Sequence, residues 1–327
     1  MKKKLIPILI ITLTNLLISN SSYKLFEYEL DPVSTSMRNG NISHTPSITS
    51  ALINPAGMNL IKNNGINLSY LKGFTETYNI NIRANYNLDS LSSLFITNIF
   101  QNYGDFKRVD KSSYQSYENI FSVGYSRKVF NNLYGGGNLK YYYGSIDDYS
   151  SSVLAVDLNI FYRLLNRKLS LSLGMFNLGT QLSEFNGVSE KLPTALKIGA
   201  SNKLDRLPLE ISFQYNRFFE DEENEYILSA EFIPNENLEI RAGYNFSMNN
   251  YELGTGEKIE QFSGLSLGLG INIAEFEFDI AYPINGYLEN QINMGLTYNF
   301  GKTVGSFFGK KGKKTKKKIN KRKHRRK

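Results

Sequence analysis

Between residues 65 and 300 the chain repeats one pattern: apolar side chains at every second position over roughly 7 to 12 residues, then a short polar interruption. A period of two puts successive side chains on opposite faces of an extended strand, whereas a helix needs apolar residues every three to four. In the last such run Ile292, Met294, Leu296, Tyr298 and Phe300 form one wholly apolar face, and Gln291, Asn293, Gly295, Thr297 and Asn299 form a polar or small one. Leu265, Leu267, Leu269, Ile271 and Ile273 alternate with Ser266, Gly268, Gly270 and Asn272 in the same way, and Tyr78, Ile80, Ile82, Ala84 and Tyr86 with Asn79, Asn81, Arg83 and Asn85.

The runs number about fourteen, starting near Gly65, Glu76, Leu91, Gln115, Leu133, Ser150, Lys168, Leu192, Leu207, Asn224, Asn237, Gln261, Glu275 and Leu288. Long polar connections at 104–114, 179–191 and 248–260 follow odd strands, while Asn131-Asn132, Pro234-Asn235-Glu236 and the gap at 273–275 make short turns after even ones. Long loops on one side and short turns on the other is the asymmetry of outer-membrane barrels. A closed sheet of this size with its apolar faces inward would leave a lumen too wide for side chains to fill. Apolar-out closure instead faces a lipid phase around a polar interior. The expectation is therefore an all-β fold: a transmembrane antiparallel β-barrel of about 14 strands with an N-terminal hatch or plug. The 22 tyrosines and 21 phenylalanines supply interfacial girdles at strand ends, for example at Tyr70, Tyr86, Tyr125, Tyr141, Tyr162, Tyr282 and Tyr298.

Lys2, Lys3 and Lys4 precede an apolar run of about 14 residues, and Ser19, Ser21 and Ser22 follow it. This is the layout of a cleaved signal peptide over residues 1–22, too short for a membrane anchor. The formal charge of +8 misleads, because the signal contributes three lysines and the segment after Gly301 fourteen Lys or Arg; removing these leaves −9 for the rest. An acidic body excludes a general nucleic-acid-binding role. The organisation expected is thus a signal peptide at 1–22, a hatch at 23–64, the barrel at 65–300 and a basic tail at 301–327, exported to the outer membrane and in contact with its lipid.

Within the hatch, Asn54-Pro55-Ala56-Gly57 follows Ser50-Ala51-Leu52-Ile53. Asn-Pro favours turn initiation and Gly allows positive φ, so the four residues read as a turn on physical grounds alone. Together with Val123-Gly124-Tyr125-Ser126-Arg127, Gly136-Gly137-Asn138-Leu139-Lys140-Tyr141, Ala155-Val156-Asp157-Leu158, Asn177-Leu178-Gly179, Leu192-Pro193 and Tyr298-Asn299-Phe300-Gly301, they occur in an order that resembles the PorV/PorQ family. That family is related to the FadL-type transporters of long-chain fatty acids. The resemblance implies fourteen strands and makes Asn54, Pro55, Ala56 and Gly57 the hatch motif, with a ligand or gating role. Two departures stand out: polar Met37-Arg38-Asn39-Gly40-Asn41 where the family is rich in Gly and Ala, and an extension beyond Phe300.

That extension holds 13 Lys or Arg among the 18 residues from Lys310 to Lys327, which suits electrostatic attachment to an anionic periplasmic surface. Nothing suggests an enzyme, and no cofactor is expected. Gly135-Gly136-Gly137 precedes a strand rather than a helix, so it lacks the geometry of a phosphate loop. The acidic run 220–223 reads as a solvated outward loop. His44 and His324 are the only histidines, so neither a His-based triad nor a histidine metal cluster is foreseen. Inward charges such as Arg83, Lys140, Asp157, Arg163, Glu210, Glu231, Glu239, Arg241, Glu277 and Asp279 fit an ordinary barrel interior.

Two functions follow from the resemblance. The first is a non-enzymatic scaffold that binds secreted proteins or secretion-system components through its long loops. The second is FadL-like passage of a hydrophobic ligand, with its pocket drawn from the hatch and inward aromatics such as Phe161 and Phe176.

Overall fold

In the computed structural model, residues 23–302 are described except for 28–29, 74–75, 109–111, 165–167, 251–261 and 285–290. The signal-peptide segment, the basic tail from 303 onward and most of the 248–260 connection lie outside the described residues.

Fourteen strands form one closed antiparallel barrel, in which each strand pairs with its sequence neighbours and β1 (Asn63–Lys72) seals the wall against β14 (Ile292–Lys302). Between them run β2 (Tyr78–Asn87), β3 (Ser92–Lys107), β4 (Ser113–Lys128), β5 (Leu133–Ile146), β6 (Tyr149–Leu164) and β7 (Leu169–Ser183). The second half comprises β8 (Ala195–Lys203), β9 (Leu209–Phe218), β10 (Asn224–Asn235), β11 (Leu238–Asn245), β12 (Leu265–Ile273) and β13 (Phe276–Pro283). Closure removes every free sheet edge, so each backbone polar group in the wall has a partner strand on both sides.

The two faces sort as the alternation demands. Cross-strand neighbours Ile271, Phe278, Leu296, Leu68 and Ile82 all lie exposed on the outer face, while Asn67, Thr297, Asn81 and Arg83 are buried on the inner one. An exterior this apolar is the inverse of a water-soluble barrel. A ladder of rings follows the long-loop rim across five successive strands: Tyr70 to Tyr78 at 6.3 Å, Tyr78 to Phe100 at 6.3 Å, Phe100 to Tyr117 at 6.0 Å and Tyr117 to Tyr143 at 6.2 Å.

Strand heights differ around the wall. β3 to β7 span 14–16 residues, whereas the remaining strands span 8–12. The connection expected at 104–114 is accordingly much shorter, because β3 runs on to Lys107 and β4 begins at Ser113, with Asp105, Phe106 and Lys107 paired to Gln115, Tyr114 and Ser113. Phe106 stacks on Tyr114 at 5.3 Å, which explains why pairing persists through a polar segment. The 179–191 connection likewise starts only after Ser183.

The described residues between 23 and 62 fill the lumen. A 3-10 turn (Lys24–Phe26) lies against β5 and β6, and helix α1 (Pro32–Ser36) crosses β11 to β14. Asp31 caps α1 by accepting from the Ser34 amide at 2.9 Å, and its other oxygen lies 3.5 Å from Arg83. Residues 38–45 then pass under β8 to β10, and two further 3-10 turns (Ile48–Ala51 and Pro55–Leu60) lead into β1. Most of this segment is buried despite its polar composition, because inward side chains of the wall take up its backbone groups: Asn81 and Asn293 donate to the Leu30 carbonyl, Ser212 and Ser229 to that of Gly40.

Candidate functional site

The hatch motif is a docked cap at the short-turn end of the lumen. Asn54 precedes the Pro55–Leu60 turn and accepts from the Gly57 amide at 2.9 Å through its side chain, while Pro55 occupies the first position of the turn, where no amide hydrogen is needed. The Ala56 amide donates to Asn159 Oδ1 at 3.1 Å, and its carbonyl accepts from Ser126 Oγ at 2.7 Å. Ala56 packs with Tyr134 and Phe161. Beneath it lies Gly136, where a Cβ would come within 2.5 Å of the Pro55 carbonyl oxygen and 2.6 Å of the Ala56 nitrogen. Gly136, the middle glycine of the β5 triplet, is thus the landing place for the motif's backbone.

Higher in the lumen the polar interior is broken by an apolar belt. Ile99, Ile120, Tyr142 and Val153 are consecutive cross-strand partners on β3, β4, β5 and β6, and all four point inward and are buried. Tyr23, Leu25, Phe26, Leu52 and Leu192 cover them. The Tyr142 ring meets that of Tyr23 edge-on at 5.1 Å and that of Phe26 at 5.5 Å. The Tyr142 and Tyr103 hydroxyls both donate to Glu118, at 2.9 and 2.8 Å, so the polar tips of these rings are satisfied beside the apolar surface. The first residues of the plug therefore occupy a place where four adjacent strands of the wall offer a continuous apolar row.

That occupancy is held at its edge by charge. Lys24 reaches Asp221 at 2.9 Å and Glu27 at 2.6 Å, and the Tyr23 hydroxyl bonds Ser151 Oγ at 2.8 Å. The acidic run 220–223 is therefore more than a solvated loop, since Asp221 is buried against the plug. Burial pushes the Glu27 carboxyl up to about 7, against the pull of the Lys24 ammonium. On the neighbouring wall, the register of β6 and β7 shifts between Val156 and Leu158; Asp157 there accepts from the Asn177 amide at 2.9 Å and pairs with Lys140 at 2.7 Å. Asn177 adopts φ 60°, and its side chain donates to the Phe26 carbonyl at 3.2 Å, linking this bulge to the plug.

Phe161 and Phe176 do not converge. Phe161 belongs with the hatch motif, and Phe176 packs with Ile42, Ile53, Ala195 and Phe218 in a separate cluster. The belt residues escaped the sequence reading because strict alternation assigns their positions to the polar face. The signal was present: Ile99 sits between Thr97 and Gln101 in the inward series, and Ile120 between Glu118 and Ser122.

The inward charges are paired rather than scattered. Arg241 donates to Glu231 at 2.8 Å and to Asp279 at 2.6 Å, contacts Glu239, and lies 3.8 Å from Glu277. His44 of the plug, Glu210 of β9 and Glu231 of β10 also meet, their potential ligand atoms all within 4.8 Å of one another. No spacing in the sequence foretells this trio, because the plug's path brings together residues that are 166 and 21 positions apart.

No family model matches the sequence, and no curated protein matches it either. Among solved structures, the fold is similar to the toluene transporter TbuX of Ralstonia pickettii (12% identity, TM-score 0.59), covering 83% of this chain and 98% of that one. It is also similar to a Pseudomonas aeruginosa FadL homologue (8% identity, TM-score 0.57, 83% and 98% covered). The Pseudomonas putida toluene transporter TodX gives 12% identity and a TM-score of 0.56 over 83% and 97% of the two chains. At these identities the likeness is one of fold.

Proposed function

We propose that this chain is a non-enzymatic outer-membrane barrel that admits small hydrophobic compounds through its lumen. The observation that carries the reading is the buried row Ile99, Ile120, Tyr142 and Val153, covered by Tyr23, Leu25 and Phe26. Four adjacent strands presenting apolar side chains inward do nothing for contact with lipid, and an apolar ligand gains about 25 cal/mol for each Å² of such surface it covers in place of water. A ligand entering from the long-loop end displaces the plug's first residues and takes their contacts. The FadL-type barrels named above, two of them toluene transporters, share the fold and support this reading. In this account the signal peptide at 1–22 directs export, the short-turn end faces the periplasm, and Asn54, Pro55, Ala56 and Gly57 anchor the lower end of the plug so that only its upper part moves. The basic tail then hangs on the periplasmic side, against an anionic surface.

A second reading, a PorV/PorQ-type scaffold for secreted proteins, draws on the ordered sequence landmarks and on the tall β3 to β7 wall, whose hairpins offer surface at the long-loop end. Purification from the native membrane in mild detergent, with mass spectrometry of both lipids and proteins, separates the two. Transport predicts an apolar small molecule carried with the barrel and no stoichiometric protein. Co-purified exported proteins without such a molecule would reverse the order of the two readings.

A further inference from the structure

His44, Glu210 and Glu231 meet in a way that hydrogen bonding does not explain. His44 Nδ1 lies 3.8 Å from Glu210 Oε2 and 3.7 Å from Glu231 Oε2, beyond hydrogen-bond reach, and all three residues are buried. The imidazole's other nitrogen, Nε2, is buried with no hydrogen-bond partner, so no hydrogen bond fixes the ring's tautomer and the Nδ1 lone pair can face the carboxylates. Those separations have a simple meaning if an ion stands between the atoms. Ligands about 2.1 Å from a tetrahedral centre lie about 3.4 Å from each other. The two separations from His44 Nδ1 come within a few tenths of an ångström of this, and the two carboxylates, whose ligand atoms lie within 4.8 Å of each other, draw in around the ion when it binds.

The surroundings are those of a built site. Glu210 is fixed by the Thr45 amide at 3.2 Å, the Thr45 hydroxyl at 2.7 Å and Ser201 Oγ at 2.8 Å. Arg241 Nε holds Glu231 Oε1 at 2.8 Å, which leaves Oε2 directed at His44. Such outer contacts orient ligands around metals. The one nearby competitor for Glu210, Lys203 at 3.5 Å, has a side chain 43% exposed and is free to turn into solvent. His44, Glu231, Glu239, Arg241 and Glu277 line a cavity of about 240 Å³, in which a single guanidinium faces three carboxyl groups. This gives a cation both a route in and an attractive field.

We propose that His44, Glu210 and Glu231 bind one divalent first-row transition-metal ion, with zinc the best-suited occupant. One imidazole and two carboxylates form a mixed donor set that suits zinc, and three protein ligands leave a fourth position for water. Because His44 belongs to the plug while the carboxylates belong to β9 and β10, the ion is a clip that fastens the middle of the plug to the wall.

The test is Zn²⁺ titration of the full-length barrel, folded in detergent and stripped with chelator, by calorimetry, together with Co²⁺ loading followed by visible absorption. The wild type takes up one Zn²⁺ per chain and gives the intense absorption of a four-coordinate Co²⁺ site. His44→Ala and Glu231→Gln each weaken Zn²⁺ binding at least about tenfold and lose that absorption. Heat-modifiable gel mobility confirms that each variant is folded, and Glu231→Gln keeps the plug's histidine in case His44→Ala loosens the plug. No saturable uptake by the wild type, or equal uptake by both folded variants, overturns the assignment.

Discussion

Asn54 and Gly136 serve one contact from its two sides. Asn54 shapes the hatch turn through its bond to the Gly57 amide, and Gly136 leaves the space into which that turn's backbone settles. Asn54→Ala should therefore cost about 1 kcal/mol of local stability, the usual loss for a capping side chain. Gly136→Val meets backbone rather than a flexible side chain, so the plug has to lift. Limited proteolysis of the folded barrel checks both: cleavage near residues 54–62 should rise modestly for Asn54→Ala and strongly for Gly136→Val, with the strands left intact. Glu27 makes a prediction about pH. Its carboxyl is raised from 4.5 in the unfolded chain to about 7 in the lumen, so the folded state holds the proton more tightly. Docking of the first plug residues should then be strongest at acid pH, weaken as pH rises from about 4.5 to about 7, and level off above that. Hydrogen exchange at Tyr23 to Glu27 measured across this window reads the effect, and Glu27→Gln should flatten it.

At the scale of elements, the strands were the most legible part of the chain, for a physical reason. Lipid on one side and a wet or polar lumen on the other impose a two-residue period on every strand, and sequence displays that period directly. Ile292 to Phe300 and Leu265 to Ile273 illustrate it. Legibility fails where a second demand is placed on the same positions. Phe106 and Tyr114 extend the β3–β4 hairpin through residues that look like loop, and Ile99, Ile120, Tyr142 and Val153 place apolar groups on the face reserved for polar ones. The belt shows in the sequence only as single apolar interruptions of the inward series, and the His44 trio cannot be read from spacing at all, since it depends on where the plug runs inside the barrel. The turn-forming character of Asn54 to Gly57 was visible, but its partners Ser126, Gly136 and Asn159 were not. The belt predicts its own test: Val153→Asn places a polar amide among Ile120, Tyr142 and Phe26, so binding of an apolar probe by the purified barrel should weaken at least about tenfold, the worth of roughly 1.4 kcal/mol.

At the scale of the whole molecule, the charge of +8 divides into a basic tail and signal around an acidic body, and the described barrel is a wall closed around a plug. The plug is attached at three heights: at Lys24, Tyr23 and Arg38 at the long-loop ends of the strands, through Asp31 and Gly40 in the middle, and at Ala56 near the short turns. Around Tyr23 to Glu27 the attachment is a few polar bonds and an apolar contact that a hydrophobic molecule can replace, whereas from Leu30 to Ala56 wall side chains hold the plug's backbone through a larger set of hydrogen bonds. Motion is therefore expected from the top. The most direct test is uptake of a radiolabelled hydrophobic compound, a monoaromatic hydrocarbon and a long-chain fatty acid in turn, by cells expressing the wild-type barrel or Val153→Asn in equal amounts. Uptake of at least one compound is expected to be faster with the wild type than in cells lacking the barrel, and most of that gain should be lost with Val153→Asn. Uptake that is the same with and without the barrel, or a gain that Val153→Asn leaves untouched, would contradict a lumenal path over the apolar belt.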